Sequence, residues 1–197
     1  MTSVPGASVG MKCHEALLYV AAGSSVSIID LRTMRKVCTI ASRQSNLYSF
    51  EFLPSKSLIC TGGIGRASLW DIRSCDSPKA EPITELDGHM GPVTRLHMDP
   101  YKIVTGGPDD TYVNIWEAET GTQTNSLICC SPDSFYSSNG CSAMSVDGCR
   151  ISCDEEQSVL RYRDFNNATC VAASDESRPA SKFWGLQSYS DADESDG

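Results

Sequence analysis

The chain has 197 residues and a formal net charge of −9, from 25 acidic and 16 basic side chains. This negative balance repels phosphate backbones and argues against nucleic-acid partners. No apolar run approaches the ~20 residues that a membrane-spanning helix needs, and the first residues lack the basic and apolar regions of a secretion signal. We therefore expect an intracellular chain, cytoplasmic or nuclear or both, without a membrane partner.

A repeated pattern organises most of the chain. Short segments recur with a period of about 44 residues, which is typical of repeat architectures. The recurring segments are IIDLR at 28–32 and LWDIR at 69–73, TGG at 61–63 and 105–107, and the tryptophans Trp70 and Trp116. We divide the repeats into four copies, which span residues 9–42, 43–87, 88–133 and 134–176.

The third copy shows the composition of the unit most clearly. Residues 93–98 alternate apolar and polar side chains, as a half-buried strand does. Further short strand-like segments follow at 103–105, 112–116 and 122–128, separated by turn residues. No stretch shows the sustained 3.6-residue period of a helix. The unit is therefore predicted to be a four-stranded antiparallel meander, and the chain to be all-β.

The same copy resembles a WD40 repeat, because Gly88-His89 opens it and Trp116-Glu117 stands where the Trp-Asp pair of that family falls. In the family such units are the blades of a β-propeller, so the resemblance implies about four WD40-type blades across residues 9–176. Propellers close with roughly four to eight blades. Four copies therefore predict an incomplete propeller, either a truncated product or one end of a longer parent protein. A closed four-bladed ring and pairing with a second chain remain as alternatives.

The resemblance also implies an internal hydrogen-bond network in the third copy. The histidine, hydroxyl, carboxylate and indole positions of the family correspond to His89, Thr105, Asp110 and Trp116. A buried imidazole and a buried indole N–H each need a partner, which a hydroxyl and a carboxylate can supply. The second copy keeps Thr61 and Trp70, but its turn is one residue shorter and lacks the aspartate. We therefore expect the second blade to be less rigid than the third.

Three segments fall outside the strand pattern. Residues 1–8 precede it and are predicted to be a disordered N-terminus. Residues 177–197 form an acidic tail that has too little apolar surface to fold, so we expect it to be disordered. Between the third and fourth copies, residues 131–140 form a polar loop that we expect to be exposed.

The sequence contains little that points to catalysis. Residues 63–68 loosely resemble a dinucleotide-binding loop, but they lead into a strand instead of the helix that such a loop requires. Asp109 and Asp110 are adjacent in a tight turn, where neighbouring side chains usually point apart, so we do not expect paired carboxylates for acid–base work. We interpret the chain as a non-enzyme with no catalytic residue and no cofactor.

The ten cysteines are scattered, mostly within apolar segments, and form no Cys-x-x-Cys motif. In a reducing compartment such cysteines are free thiols of the core. Cys149 and Cys153 alone do not complete a zinc site, and the three histidines do not cluster with cysteine pairs at zinc spacing. We expect reduced thiols and no metal, with a thiol redox or metal protein as the least favoured alternative.

A protein-binding scaffold is the function that these observations favour, because a propeller fold carries its function in loops and rims. Its partners would be other proteins or peptides. The candidate contact residues, on turns near the expected central opening, are Arg66, Arg95, Asp109 and Tyr112.

Two segments, LWDIR at 69–73 and LDGHMGPV at 86–93, also look like the C-terminal repeats of plant F-box/WD-40 repeat proteins. That resemblance implies the substrate-binding propeller of a ubiquitin ligase receptor, joined to cullin-ligase components through a longer parent protein. No F-box segment precedes residue 9. The alternative is a general WD40 scaffold in RNA processing, trafficking or signalling, without a ubiquitin link.

Overall fold

The structure, a computed structural model, describes residues 3–74, 81–129, 140–155 and 159–164. Within these ranges the chain forms fifteen β-strands and two short 3₁₀ turns, with no α-helix, and none of the described segments is a helix that could span a bilayer. The strands build four antiparallel sheets, in which each strand pairs with the next along the chain. The all-β prediction is confirmed. The predicted acidic tail and most of the predicted polar loop lie outside the described residues.

The strands follow one another in four groups. The first sheet contains β1 (Ser8–His14), β2 (Leu17–Ala22), β3 (Ser25–Asp30) and β4 (Arg35–Ala41). The second contains β5 (Ser49–Leu53), β6 (Leu58–Gly62), β7 (Ile64–Asp71) and β8 (Thr84–Pro92), with 3₁₀ turns at Pro54–Lys56 and Ile72–Ser74. The third contains β9 (Arg95–Met98), β10 (Lys102–Gly106), β11 (Tyr112–Glu117) and β12 (Gln123–Ile128). The fourth has three described strands, β13 (Ala143–Asp147), β14 (Arg150–Glu155) and β15 (Val159–Asp164).

The two tryptophans of the repeat occupy equivalent positions in neighbouring sheets. The second strands of the second and third sheets, β6 and β10, are buried along their whole length. Across the strand pairs, Trp70 faces Ile59 and Trp116 faces Ile103. The repeat that the sequence predicts is therefore a repeat of structure.

Apolar side chains pack between successive sheets. Three buried clusters join the first sheet to the second, the second to the third, and the third to the fourth. Members contributed by the two sheets at the three interfaces are Ile28 and Phe50, Leu69 and Ile103, and Ile115 and Ile151. Because each sheet is covered by the next, its apolar face is removed from water, which is the main force that stacks the sheets.

The residues before β1 contact the first sheet. The carbonyl of Ala7 accepts a hydrogen bond from the N–H of Gly23 at 3.1 Å, and Val4 packs against buried Val20 and Ala22. Part of the segment for which we expect disorder therefore has contacts in the structure, because Val4 supplies an apolar side chain that the sheet can bury.

A repeated backbone hydrogen bond marks one end of the sheets, which we call the loop end. The residue that leads into the next sheet donates its N–H to the turn between the second and third strands of the sheet that it leaves. The three examples are Leu47 to Gly23 at 2.7 Å, Val93 to Gly63 at 2.8 Å, and Cys141 to Gly107 at 2.9 Å. The connections therefore cross close above these turns.

This close crossing explains the repeated Thr-Gly-Gly segment. A Cβ atom on Gly62 would overlap the Ser49 side chain and the carbonyl oxygen of Val93, and one on Gly107 would overlap the carbonyl oxygen of Pro92. Glycine is needed at both positions because the backbone approaches too closely for any side chain.

The first strands of the four sheets line a common central cavity of about 540 Å³. One lining residue from each strand is Val9 of β1, Phe50 of β5, Leu96 of β9 and Met144 of β13. Neighbouring first strands contact one another in the order β1, β5, β9, β13. The four sheets are thus arranged around one axis, as the blades of a propeller are.

One cysteine departs from the expectation of reduced thiols. Cys38, on β4, is disulfide-bonded. The expectation is wrong at this position because spacing in the sequence gives no information on which sulfur atoms meet in the fold. Free thiols among the described cysteines include Cys13, Cys60, Cys129, Cys141 and Cys149.

Candidate functional site

A distortion of β8 positions His89, the first residue of the hydrogen-bond network that we expect in the third copy of the repeat. The pairing of β7 with β8 shifts register between Ile64 and Arg66. Gly88 lies in this irregular stretch with φ of +132°, a conformation that favours glycine. The distortion lets the side chain of His89, which belongs to a strand of the second sheet, reach into the third sheet.

The four residues that the family resemblance assigns to the network lie together. His89 Nδ1 is 2.6 Å from Oδ2 of Asp110, and His89 Nε2 is 2.8 Å from Oγ1 of Thr105. The indole N–H of Trp116 donates to the same threonine oxygen at 2.7 Å. The imidazole is 0% exposed and the carboxylate 4% exposed. The cluster is therefore a buried hydrogen-bonded chain that runs from β11 to β8.

One arrangement of hydrogens satisfies every donor in this chain. An indole N–H can only donate and an ionised carboxylate can only accept, which fixes the direction at both ends. Trp116 therefore donates to the Thr105 hydroxyl, which donates to His89 Nε2, and His89 Nδ1–H donates to Asp110 (a tautomer assigned from its partners). In a low-dielectric interior such a chain is mutually reinforcing.

The second oxygen of Asp110 extends the network to the backbone. Oδ1 accepts a hydrogen bond from the N–H of Met90 at 2.7 Å. The aspartate is held in the turn between β10 and β11, where its own N–H donates to the carbonyl of Gly107 at 3.3 Å. One carboxylate thus fixes both a side chain and a backbone group of β8, and joins the second sheet to the third.

The corresponding place in the second sheet is built differently. The indole N–H of Trp70 donates to Oγ1 of Thr61 at 2.9 Å, and that hydroxyl donates to the carbonyl of Ser68 at 3.4 Å. Among the described residues, no histidine or carboxylate completes this pair. Instead, Gln44 Oε1 accepts from the N–H of Ile64 at 2.6 Å. Gln44 lies on the segment that leads from the first sheet into β5 of the second. Its neutral amide accepts a backbone N–H at the loop end, as the buried carboxylate of Asp110 does in the third sheet.

Arg66, the first of the predicted contact residues, is already paired. Its guanidinium lies 2.7 Å from a carboxylate oxygen of Glu85 and 3.1 Å from one of Asp87, both on β8. The side chain lines a cleft of about 430 Å³, together with Arg43 and Trp70. The carboxylates of Glu85 and Asp87 on the neighbouring strand therefore compensate the positive charge of Arg66.

The other three predicted contact residues divide between two regions of the loop end. Arg95 lines the central cavity and donates from Nε to the carbonyl of Ser142 at 2.7 Å, which ties β9 to the start of the fourth sheet. Asp109 lies against Gly91, where a Cβ atom would overlap its side chain. Tyr112 is exposed at the start of β11. The structure therefore does not gather the four predicted residues around one opening.

Two exposed apolar residues at the loop end were missed by the sequence reasoning. Met90 is 82% exposed and Ile64 is 53% exposed. The sequence contains a signal for Met90. Successive side chains of a strand point to opposite faces, so Met90 faces away from the core if its neighbour His89 is buried. Ile64 gave no such signal, because its exposure depends on the register shift beside it.

The described ranges contain no group of three or more His, Cys, Asp or Glu side chains that could hold a metal ion. Cys153 is buried in the cluster between the third and fourth sheets, and Cys149 packs against that cluster. Both therefore have the surroundings of core thiols.

The comparisons with known proteins lead to WD-repeat proteins. No family model matches the chain. DENN domain and WD repeat-containing protein SCD1 of Arabidopsis thaliana is 28% identical over 122 residues, which are 61% of this chain and 10% of that protein. Nucleoporin Nup43 of Mus musculus is 25% identical over 123 residues, which are 60% of this chain and 32% of that protein. The chain thus spans about a tenth of the plant relative and about a third of the mouse relative.

Among solved structures, the chain resembles the crystal structure of the computationally designed Ika4 protein. The TM-score is 0.67 at 14% identity, and the likeness covers 82% of this chain and 93% of the designed chain. At that identity it concerns the fold alone. The class is therefore an all-β protein built from WD40-type blade units, and the chain is similar to WD-repeat proteins.

Proposed function

We propose that this chain is a protein-binding scaffold whose contact surface is the loop end of the second and third sheets. The observation that carries the proposal is the exposure of three large apolar side chains there, with Met90 at 82%, Ile64 at 53% and Tyr112 at 45%. Exposed apolar side chains grouped at one place mark interaction surfaces. We call these three residues, together with Arg66 and Asp109, the apical patch.

The backbone supports treating the patch as one surface. Ile64 faces Pro92 across the pair formed by β7 and β8, which places it beside the segment that carries Met90. The N–H of Met90 is bonded to Asp110, and Tyr112 begins the strand that follows that aspartate. The three apolar residues therefore lie on segments of two sheets that the network joins.

The network gives the patch a rigid base. Because Asp110 holds the backbone of Met90, the methionine is presented from a fixed position, and less freedom is lost when a partner binds. Methionine and tyrosine are among the residues enriched in interface cores. Both points favour binding over a purely structural role for the exposed side chains.

The charges of the patch favour an apolar partner segment over a phosphorylated one. Recognition of a phosphate uses uncompensated arginines, whereas Arg66 is paired with Glu85 and Asp87. The partner that fits is another protein or peptide with an apolar anchor. A non-catalytic role, the absence of nucleic-acid partners and residence in the cytoplasm or nucleus belong to the same proposal.

A finer proposal is that the chain serves as the substrate-binding part of an F-box/WD40-type ubiquitin ligase receptor. It rests on the segments at 69–73 and 86–93, and the names of the two relatives above mention no F-box. A general scaffold without a ubiquitin link has more support. Recovery of cullin-ligase adaptor subunits with a longer parent protein would favour the ligase role, and their absence would remove it.

The test compares two pairs of substitutions at opposite ends of the sheets. Ile64→Ser with Met90→Ser removes apolar surface from the patch. Met34→Ser with Val37→Ser removes similar surface at the other end, where these side chains are 60% and 57% exposed. Affinity purification with quantitative mass spectrometry should show partners that are lost with the first pair and kept with the second. The same partner set for both pairs, at unchanged Tm, would contradict the proposal.

A further inference from the structure

The junction between the first and second sheets has a cleft where the next junction has a buried histidine. The N–H of Leu47 and the N–H of Val93 make equivalent backbone hydrogen bonds at the loop end, each to the turn of the sheet that the chain leaves. Four residues before these donors stand Arg43 and His89. Arg43 therefore occupies, at the junction of the first and second sheets, the position that His89 occupies at the junction of the second and third.

The two side chains at this position point in different directions. The imidazole of His89 is 0% exposed, whereas the side chain of Arg43 is 66% exposed and donates to a carboxylate oxygen of Glu81 at 2.7 Å. Gly88, before the histidine, has φ of +132°, while Ser42, before the arginine, is not among the described residues with positive φ. Because the turn that buries the histidine favours glycine, Arg43 leaves the space beneath it unfilled.

This space is the cleft of about 430 Å³ that Arg43 and Trp70 line. Its volume is within the range of small-ligand sites, about 300–1,000 Å³. At the next junction His89 lies beside Trp116, which is equivalent to Trp70, with the two ring centroids 6.4 Å apart. The cleft therefore reaches the tryptophan that a ring at the histidine position would meet.

The charges around the cleft disfavour an anion. The ion pairs join Arg43 to Glu81, and Arg66 to Glu85 and Asp87, so these side chains have a net charge of −1. Arg66 pairs with Oε2 of Glu85, and the second oxygen of that carboxylate can accept a further hydrogen bond. A ring with an N–H group, neutral or protonated, fits these surroundings better than a phosphate or a carboxylate does.

Hydrogen bonds hold the wall of the cleft in place. The N–H of Ser42 donates to the carbonyl of Ser24 at 2.8 Å, and the N–H of Gln44 donates to Oγ of Ser42 at 3.2 Å. The Gln44 side chain in turn accepts from the N–H of Ile64 at 2.6 Å. Since the wall is already ordered, a ligand that enters the cleft loses less free energy to ordering the protein.

We propose that the cleft is a binding site for an imidazole ring, supplied by a histidine side chain of a protein partner. The ring lies beside Trp70, as His89 lies beside Trp116. The site rests on the proposed function and deepens it, because Ile64 and Arg66 of the apical patch line the same cleft. A partner segment then carries a histidine next to the apolar anchor that the patch binds.

The test is an NMR titration of the full, ¹⁵N-labelled chain with imidazole. We expect saturable shifts of the Trp70 indole N–H and the Ile64 amide, with a Kd of about 1–10 mM for so small a ligand. The indole N–H of Trp116, beside the filled position, is the internal control and should not shift. The absence of a saturable shift at Trp70, or binding of inorganic phosphate in the cleft instead, would overturn the proposal.

A second probe tests whether the ring can come from a peptide. The tripeptide Gly-His-Gly with blocked termini should shift the same resonances as imidazole, and Gly-Ala-Gly with blocked termini should not. Equal shifts with both peptides would mean that the cleft recognises backbone groups, which would overturn the assignment to a histidine side chain.

Two double variants show whether the ring occupies the histidine position. Ser42→Gly with Arg43→His reproduces the Gly-His pair of the next junction, so the chain's own imidazole should compete and weaken imidazole binding roughly tenfold or more. Ser42→Gly with Arg43→Ala is the matched control, which leaves the cleft open and should bind imidazole about as tightly as wild type. Equal affinities of the two variants would overturn the placement, and the wild-type titration decides if a variant folds poorly.

The cleft and the proposed function can fail separately. No imidazole binding, together with partners that are still lost in Ile64→Ser with Met90→Ser, would overturn the imidazole site alone. Imidazole binding in the cleft, together with an unchanged partner set in that variant, would support the ring site and overturn the apical patch as the contact surface.

Discussion

The second and third sheets share their strand order, a fully buried second strand and an indole-to-threonine hydrogen bond, yet they differ in what that threonine does next. In the third sheet the series of hydrogen bonds continues from Thr105 to His89 and from His89 to Asp110. Together with Trp116, these side chains form one buried unit. In the second sheet Thr61 accepts from Trp70 and donates to the backbone carbonyl of Ser68, so no further side chain joins the chain of hydrogen bonds. There the amide of Gln44, on the segment that crosses the turn, accepts from the N–H of Ile64.

The difference shows that one fold can be closed at its loop end in two ways. A buried carboxylate with two charge-assisted hydrogen bonds holds its partners firmly. Removing one partner lowers the free energy of unfolding strongly, because a buried polar group is left unpaired. A partly exposed amide contributes less and tolerates change. The third sheet should therefore be the rigid partner at this junction, and the second the adaptable one.

Removing the carboxylate should have the largest effect. Asp110→Ala leaves His89 Nδ1–H and the N–H of Met90 without acceptors, and we expect a loss of about 3–5 kcal/mol in the free energy of unfolding. Gln44→Ala in the second sheet should cost about 1 kcal/mol. Urea denaturation measures both, with exposed Asp109→Ala as the control at less than about 0.5 kcal/mol. Equal losses for Asp110→Ala and Gln44→Ala would contradict the comparison.

The turn glycines offer a second contrast. A Cβ atom on Gly107 would meet the backbone carbonyl of Pro92, whereas one on Gly63 would meet the end of the Gln44 side chain. Because a side chain can move and a backbone carbonyl cannot, Gly107→Ala should cost about 2–3 kcal/mol and Gly63→Ala about 1 kcal/mol. Thermal and urea unfolding of the two variants provide the check, and a larger loss for Gly63→Ala would reverse the argument.

Double-mutant cycles measure whether the network acts as a unit. His89→Ala and Trp116→Phe both alter contacts of Thr105, so their effects should be non-additive by about 0.5–2 kcal/mol. Gln44 and Trp70 have different hydrogen-bond partners, Ile64 and Thr61, so the effects of Gln44→Ala and Trp70→Phe should be additive within about 0.5 kcal/mol. Additivity in both sheets would mean that the third-sheet network is only a set of separate contacts.

Acid should weaken the third sheet at its other end. Burial alone would raise the pKa of Asp99, but hydrogen bonds from His97, Lys102 and two backbone N–H groups outweigh burial and hold that pKa well below its usual range. A carboxyl with a lowered pKa in the folded state stabilises the fold above the unfolded pKa of about 3.9, and this contribution is lost as the pH falls.

The variant Asp99→Asn isolates this contribution. Wild type should lose more stability than Asp99→Asn when urea midpoints are compared between pH 7 and pH 3. The turn at the equivalent place in the second sheet, Pro54–Lys56, has no carboxylate and gives no such dependence. Identical pH profiles for wild type and variant would contradict this assignment.

The sequence predicts the sheets because their signals are local. Alternation, the glycine pairs after Thr61 and Thr105, and the recurring tryptophans all lie within single repeats. The network members follow from the family resemblance, which fixes residue types at positions and not distances. The apical patch was recovered only in part, because the exposure of Ile64 depends on the register shift near Gly88.

Contacts between distant segments could not be predicted. The role of Gln44 depends on where the crossing segment passes over the second sheet. The approach of Cys129 to Cys153, whose sulfur atoms are 3.4 Å apart, depends on how the third and fourth sheets stack. Spacing along the chain records none of these, since each joins residues that meet only in the folded state.

Amide hydrogen exchange in the native state tests most directly whether the buried network makes the third sheet more rigid than the second. The comparison is between β6 and β7 of the second sheet and β10 and β11 of the third. The second strands are equally buried, so a difference in protection reports on the network and not on solvent access. We expect slower exchange in β10 and β11, and a selective loss of that protection in Asp110→Ala. Equal or greater protection in β6 and β7 would contradict it.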